Sequence, residues 1–205
     1  METSTFAVGS LDALRTLLRD GPLTLAPHAD IVIVPTAAAF IGATETAIRT
    51  SDPFEEYDVR VEALMVINRA ATDDDYCVDR LARADLVVLC DGSPLHVRSV
   101  WRATAFGDAI NEAASLVAIG AVASVLGDVM IDPRGGAPTT GLGYRPGAAL
   151  CLPSSDEQLT RTRSLLRDVA LFVIAPNGIV HHDGAEWRVV TGDVAVTRGH
   201  DVVDS

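Results

Sequence analysis

Three short runs of aliphatic residues decide what this 205-residue chain can fold into: Asp30-Ile-Val-Ile-Val-Pro35, Asp85-Leu-Val-Val-Leu-Cys90 and Leu116-Val-Ala-Ile119. Each is unbroken by polar residues and too short for a helix of ordinary length, the mark of a strand buried on both faces. Thr5 to Val8 and Val59 to Ile67 read as further strands. Helical spacing fills the intervals: Leu11, Leu14, Leu17 and Leu18, then Ala37 to Thr50, then Asp73 to Leu81 with acids in its first turn, then Leu95 to Ala114 with a break at Gly107. Strands alternating with helices over about 170 residues predict an α/β fold with a mainly parallel central sheet.

The later sequence is richer in strand patterns. Ala148 to Leu152, Val169 to Ile174, Glu186 to Val190 and Asp193 to Thr197 read as strands, expected to lie antiparallel at an edge. Ser154 and Ser155, followed by Asp156-Glu157, predict the cap of a helix running to about Arg167. A hairpin is expected over Gly178 to Gly184, turning at His182-Asp-Gly184. No linker or repeat interrupts the chain, so one domain is expected over 1–205, with 198–205 as a mobile tail.

Composition narrows the function classes. The net charge is −12, and all sixteen basic residues are arginine. An acidic chain lacks the basic face that nucleic acid or an anionic membrane needs, so neither is expected as a partner. Without lysine there is no Schiff base, no Ser–Lys dyad and no phosphate loop of the Gly-Lys type. No apolar run reaches the roughly 18 residues of a membrane span, and the first residues lack a basic leader pattern; a cytoplasmic location is the expectation. Cys77, Cys90 and Cys151 are too far apart for a metal pair and odd in number, and they read as buried thiols. No metal and no cofactor is expected.

The stretch Ser115-Leu-Val-Ala-Ile-Gly-Ala-Val-Ala-Ser-Val-Leu-Gly-Asp128 bears most on function. An apolar strand, a turn at Gly120 and an apolar helix from Ala121 to Leu126 are the parts of a nucleophile elbow. Such a turn holds one side chain above the sheet edge, beside N–H groups able to bind an oxyanion. Here the turn residue is glycine and offers no side chain.

The order Ile33-Val-Pro-Thr-Ala37, Ala84-Asp-Leu-Val-Val-Leu-Cys-Asp-Gly-Ser93, the elbow, and Gly141-Leu-Gly143 resembles the S51 serine peptidases, the family of dipeptidase E and cyanophycinase. The resemblance spans roughly residues 5 to 190. It implies a three-layer sandwich of the flavodoxin or class I glutamine amidotransferase type, and a homo-oligomer, most simply a dimer. It also places the family's functional positions. The nucleophile falls on Gly120 within Ala118-Ile-Gly-Ala-Val-Ala123. The histidine of a Pro-His pair falls on Ser154 in Pro153-Ser154, and the acidic member falls at Gly135/Gly136. The substrate loop is Asp91-Gly92-Ser93-Pro94, without the family's glutamine. Serine hydrolysis needs a hydroxyl, a base and an orienter, and these positions supply none. The resemblance therefore implies a catalytically degenerate relative with a binding or assembly role. Its pocket would be formed by Asp91, Gly92, Ser93, Gly120, Ala121 and Ser154, and would take a small acidic or peptide ligand on backbone N–H groups.

The alternative is an active serine-type hydrolase of small aspartyl peptides, with catalytic residues drawn from Ser93, His96, Ser124, Asp132 and Ser154. Ser93 and His96 lie three apart after a strand's carboxyl end. Pro94 stiffens that turn, and Ser124 would sit a full turn into the elbow helix. Other polar features have plainer readings. His181 and His182 point to opposite faces of a strand and read as a solvated hairpin. Asp73-Asp-Asp75 reads as a charged helix start, and His200 and Asp201 as tail.

Overall fold

The computed structural model describes residues 3–166 and 168–198. In chain order the elements are β1 (Ser4–Val8), α1 (Leu11–Asp20), β2 (Ala29–Val34), α2 (Ala43–Ser51), β3 (Val59–Ala63), α3 (Asp75–Ala82), β4 (Leu86–Leu89), α4 (Pro94–Trp101), α5 (Ala105–Glu112), β5 (Ser115–Ile119), β6 (Val129–Ile131), β7 (Pro138–Thr140), β8 (Ala148–Cys151), α6 (Asp156–Leu165), β9 (Ala170–Ile174), β10 (Ile179–His182), β11 (Trp187–Thr191) and β12 (Val194–Thr197). The tail residues His200 and Asp201 lie outside the described residues.

A seven-stranded sheet forms the centre, in the order β11-β10-β1-β5-β4-β2-β3. Its five strands from β1 to β3 run parallel, and β10 and β11 add an antiparallel hairpin beyond β1. The unbroken apolar runs explain this position. Successive residues of a strand face opposite sides, so Ile31 and Ile33 enter one core with Leu14, Leu17 and Phe54, while Val32 and Val34 enter the other with Leu81, Trp101 and Phe106. Both faces are covered by helices and turns, giving the three layers expected.

The late strands divide differently from the expectation. Only β10 and β11 extend the central sheet; β8, β9 and β12 form a second sheet in the order β12-β9-β8. There β8 and β9 are parallel and β12 is antiparallel to β9. Alternation again supplies the reason. Ala148, Leu150, Phe172 and Ile174 face the main core, whereas Ala149, Leu171 and Val173 form a small core with Leu166 and Ile131. Two apolar faces on β8–α6–β9 allow a layer of its own.

Three helical expectations are also revised. The segment expected as one helix from Ala37 to Thr50 is a short 3-10 turn at Thr36–Ala38 followed by α2, because the chain reverses at Gly42 with φ of 101°. The break in 95–114 falls at 102–104 rather than at Gly107. Arg69 donates to the carbonyls of Ser99, Val100, Arg102 and Ala103, closing α4, and the Thr104 hydroxyl accepts from Gly107 N–H to start α5. The helix expected after the elbow is a 3-10 helix, Gly120–Val125. Among the described residues no helix is long and apolar enough to cross a membrane.

Candidate functional site

Parallel pairing of β4 with β5 sets Leu89 opposite Ala118. Two residues further on each strand, Asp91 and Gly120 therefore meet at the carboxyl edge, where ligands bind in sheets of this kind. Gly120 has φ of +67°. That left-handed conformation is the one a nucleophile elbow imposes on its central residue, and glycine adopts it without strain. Gly120 thus has the backbone conformation of an elbow's central residue and no side chain.

The space a side chain on Gly120 would need is filled from the neighbouring strand. A Cβ added to Gly120 would collide with the carboxyl carbon and both oxygens of Asp91. Asp91 Oδ1 accepts from the backbone N–H of Ala121 at 2.8 Å and of its own neighbour Gly92 at 2.7 Å. Two N–H groups from two adjacent strand ends converging on one oxygen make an oxyanion-binding arrangement. In this protein the oxygen is its own.

Ser93 and His96 are close in sequence but engaged separately. Ser93 caps α4, its hydroxyl accepting from the backbone N–H of His96 at 3.3 Å. The imidazole lies with Nε2 2.8 Å from the carbonyl oxygen of Ile67 and edge-on to Phe40 at 4.7 Å. A carbonyl only accepts, so Nε2 carries the proton and donates.

Beside this turn a cavity of about 240 Å³ opens between the 3-10 helix that follows β5, the ends of β6 and β8, and α6. It gathers Ala121, Ser124, Asp132, Gly136 and Ser154, which the sequence had suggested from distant segments, and does not include Asp91, Gly92, Ser93, His96, Gly120 or Gly135. Pro94 joins the two regions. Sequence reasoning missed Ile131, Cys151, Leu152, Gln158 and Thr162 as wall residues. The end of the Ala148–Leu152 run at Pro153 was the available signal, but its place depends on the second sheet.

The polar walls are tied internally. Ser124, 4% exposed, donates to the Ala121 carbonyl at 2.9 Å. The Thr162 hydroxyl reaches the carbonyls of Gly136 at 2.7 Å and Gln158 at 2.9 Å. Asp132 accepts from the backbone N–H and the guanidinium of Arg134. Those bonds hold its carboxyl below the ordinary range. Burial pushes the Cys151 thiol up to about 11, and likewise Cys90. Neither has the lowered pKa of a nucleophilic cysteine.

Elsewhere, His181 and His182 face opposite ways as expected, but the hairpin is not solvated at His182. Its side chain is 2% exposed and lies edge-on to Trp187. His181 stacks on Phe6 and pairs through Nε2 with Ser4 Oγ at 2.9 Å. Burial lowers the pKa of both histidines. Arg145, 3% exposed, donates to Thr5 Oγ1, to Asn111 O and Oδ1, and to Tyr144 O. It joins the Gly141–Gly147 loop to β1 and α5. Among the described residues, no three His, Cys, Asp or Glu side chains gather as metal ligands would.

No sequence-family profile matches the chain, and no curated protein matches it by sequence. Solved structures do match by fold. A peptidase from an acI-B1 Actinobacterium superposes with a TM-score of 0.75 at 19% identity, over 98% of this chain and 96% of that one. A protein provisionally named peptidase E, from Listeria monocytogenes EGD-e, superposes with a TM-score of 0.65 at 12% identity, over 97% and 99%. The fold is therefore that of peptidase structures along nearly the whole chain.

Proposed function

We propose that this chain is a catalytically degenerate relative of the S51 serine peptidases which keeps the cavity beside the old elbow for binding. The observation that carries the reading is the Asp91 carboxylate, lying where a nucleophile's side chain would stand on Gly120 and accepting the Gly92 and Ala121 N–H groups. Acyl transfer requires a nucleophile within reach of a base, and donors open to the developing oxyanion. Here glycine takes the first position, and an internal anion takes the donors. Ser154, at the position the resemblance gives to the base, cannot take up a proton near neutral pH.

The Ser93 and His96 alternative has less support. Its hydroxyl caps a helix and its imidazole donates to a main-chain carbonyl. The test is hydrolysis of aspartyl dipeptides by the purified protein, beside Ser93→Ala and His96→Ala. The degenerate reading expects no turnover above buffer in any of the three. Turnover by wild type that either substitution abolishes would establish the hydrolase instead.

A further inference from the structure

We propose that the cavity beside the elbow takes a small, uncharged aliphatic molecule ending in a primary amide, and rejects carboxylates. This inference rests on the cavity being a binding site, as above, and reverses the acidic ligand that the sequence suggested. Its main walls are apolar: Pro94, Ala121, Ile131, Cys151, Leu152 and Pro153. A hydrocarbon body of a few carbons fits such walls and the volume of about 240 Å³.

The hydrogen-bonding groups decide the rest. Ser124 and Thr162 direct their hydroxyl protons to main-chain carbonyls, so each leaves oxygen lone pairs for a ligand. Gln158 donates through Nε2 to the Arg134 carbonyl at 3.3 Å, which leaves its amide oxygen. The cavity thus offers acceptors, which suit an N–H group. Ser154, at the exposed mouth, has a hydroxyl able to give its proton to an amide oxygen.

Charge is disfavoured in both directions. No arginine side chain lines the cavity among the described residues, and the Ala121 N–H is held by Asp91. Asp156 and Glu157 place negative charge in the first turn of α6, whose cap is the Ser155 hydroxyl. A carboxylate would lose its water without gaining a cationic partner. An ammonium group fares little better, because the one carboxylate in the wall among the described residues, Asp132, is already paired with Arg134.

The test compares isovaleramide, isovalerate and isoamylamine, which share a branched aliphatic body and differ at the polar end. Binding is followed by backbone amide NMR titration of the full chain. Isovaleramide is expected to shift the Ala121, Ser124 and Thr162 signals and to bind at least about tenfold more tightly than either charged compound, a difference of ~1.4 kcal/mol. Ser154→Phe, a change at an exposed position, is expected to abolish those shifts. The proposal is overturned by equal or tighter binding of isovalerate or isoamylamine. Absence of isovaleramide binding overturns it too, as do shifts mapping elsewhere or surviving the substitution in a folded variant. Ammonia release in the same samples separates the two readings. Cleavage of the amide would sink the non-catalytic proposal while leaving the ligand class intact, whereas absence of binding sinks only the ligand class.

Discussion

Asp91 and Gly120 occupy one site between them: the aspartate carboxylate stands where any side chain on the glycine would have to be. The relation follows from parallel pairing of two strands whose ends release both residues at the same height. It makes the two positions energetically dependent. Gly120→Ala should destabilise the protein by roughly 1–3 kcal/mol, from the left-handed backbone and from displacing the carboxylate. Removing the carboxylate as well, in Asp91→Gly with Gly120→Ala, should recover part of the loss. Urea unfolding of the four proteins in a double-mutant cycle is expected to give a coupling of about 1 kcal/mol or more. Additive effects would mean that the two side-chain positions do not compete.

Removal of the carboxylate alone should open its two donors to another anion. Asp91→Ala is expected to gain a thermal stabilisation by acetate that wild type lacks, since the Gly92 and Ala121 N–H groups would then face solvent. The same acetate response in both proteins would contradict the assignment.

Burial of two histidines and hydrogen bonds to four carboxylates set the acid response at two stages. His181 and His182 have pKa values below the ordinary one. Their stabilisation is complete above the unfolded value near 6.5 and falls away as the pH drops through it toward the folded values. Asp30, Glu62, Asp132 and Asp183 are also lowered, by hydrogen bonds from arginine, tyrosine or main-chain N–H groups. Their contribution holds above the ordinary carboxylate range and declines below it. Unfolding free energy measured from pH 8 to pH 3 should therefore fall first near 6.5 and again below about 4.5. His182→Gln should flatten the first fall. A profile level from pH 8 to pH 5 would rule out the histidine contribution.

Arg145 supports the loop that follows the second glycine of Gly141-Leu-Gly143. Among the described residues it is buried without a carboxylate partner, so removing its charge relieves desolvation; yet it satisfies acceptors of Thr5, Asn111 and Tyr144 that would be left behind. Unmet buried acceptors outweigh the relief, because hydrogen bonds to charged groups contribute about 1.5–3 kcal/mol each. Arg145→Met should lower stability by roughly 2–4 kcal/mol on that basis. A loss under about 0.5 kcal/mol would show that the network contributes little.

The central fold was legible because residues 31–34, 86–89 and 116–119 are apolar on both faces, and few other environments accept such runs. The second sheet was not. Ala148–Cys151 and Ala170–Ile174 have the same pattern, and nothing local says which sheet a buried strand joins. Gly120 at a strand's end signalled the tight turn after β5. Asp91 as its occupant was hidden, since that depends on which strand neighbours β5. His182 was misread because a histidine beside Asp-Gly resembles an exposed turn; Trp187, its cross-strand partner, was the available clue to burial.

Covalent labelling tests the Asp91–Gly120 account most directly. A fluorophosphonate reacts with a serine hydroxyl only where a base and an oxyanion site activate it. Intact-mass measurement of the native protein after prolonged exposure should show the unmodified mass. A stoichiometric adduct on Ser93, Ser124, Ser154 or any other serine, lost on denaturation before labelling, would contradict the account.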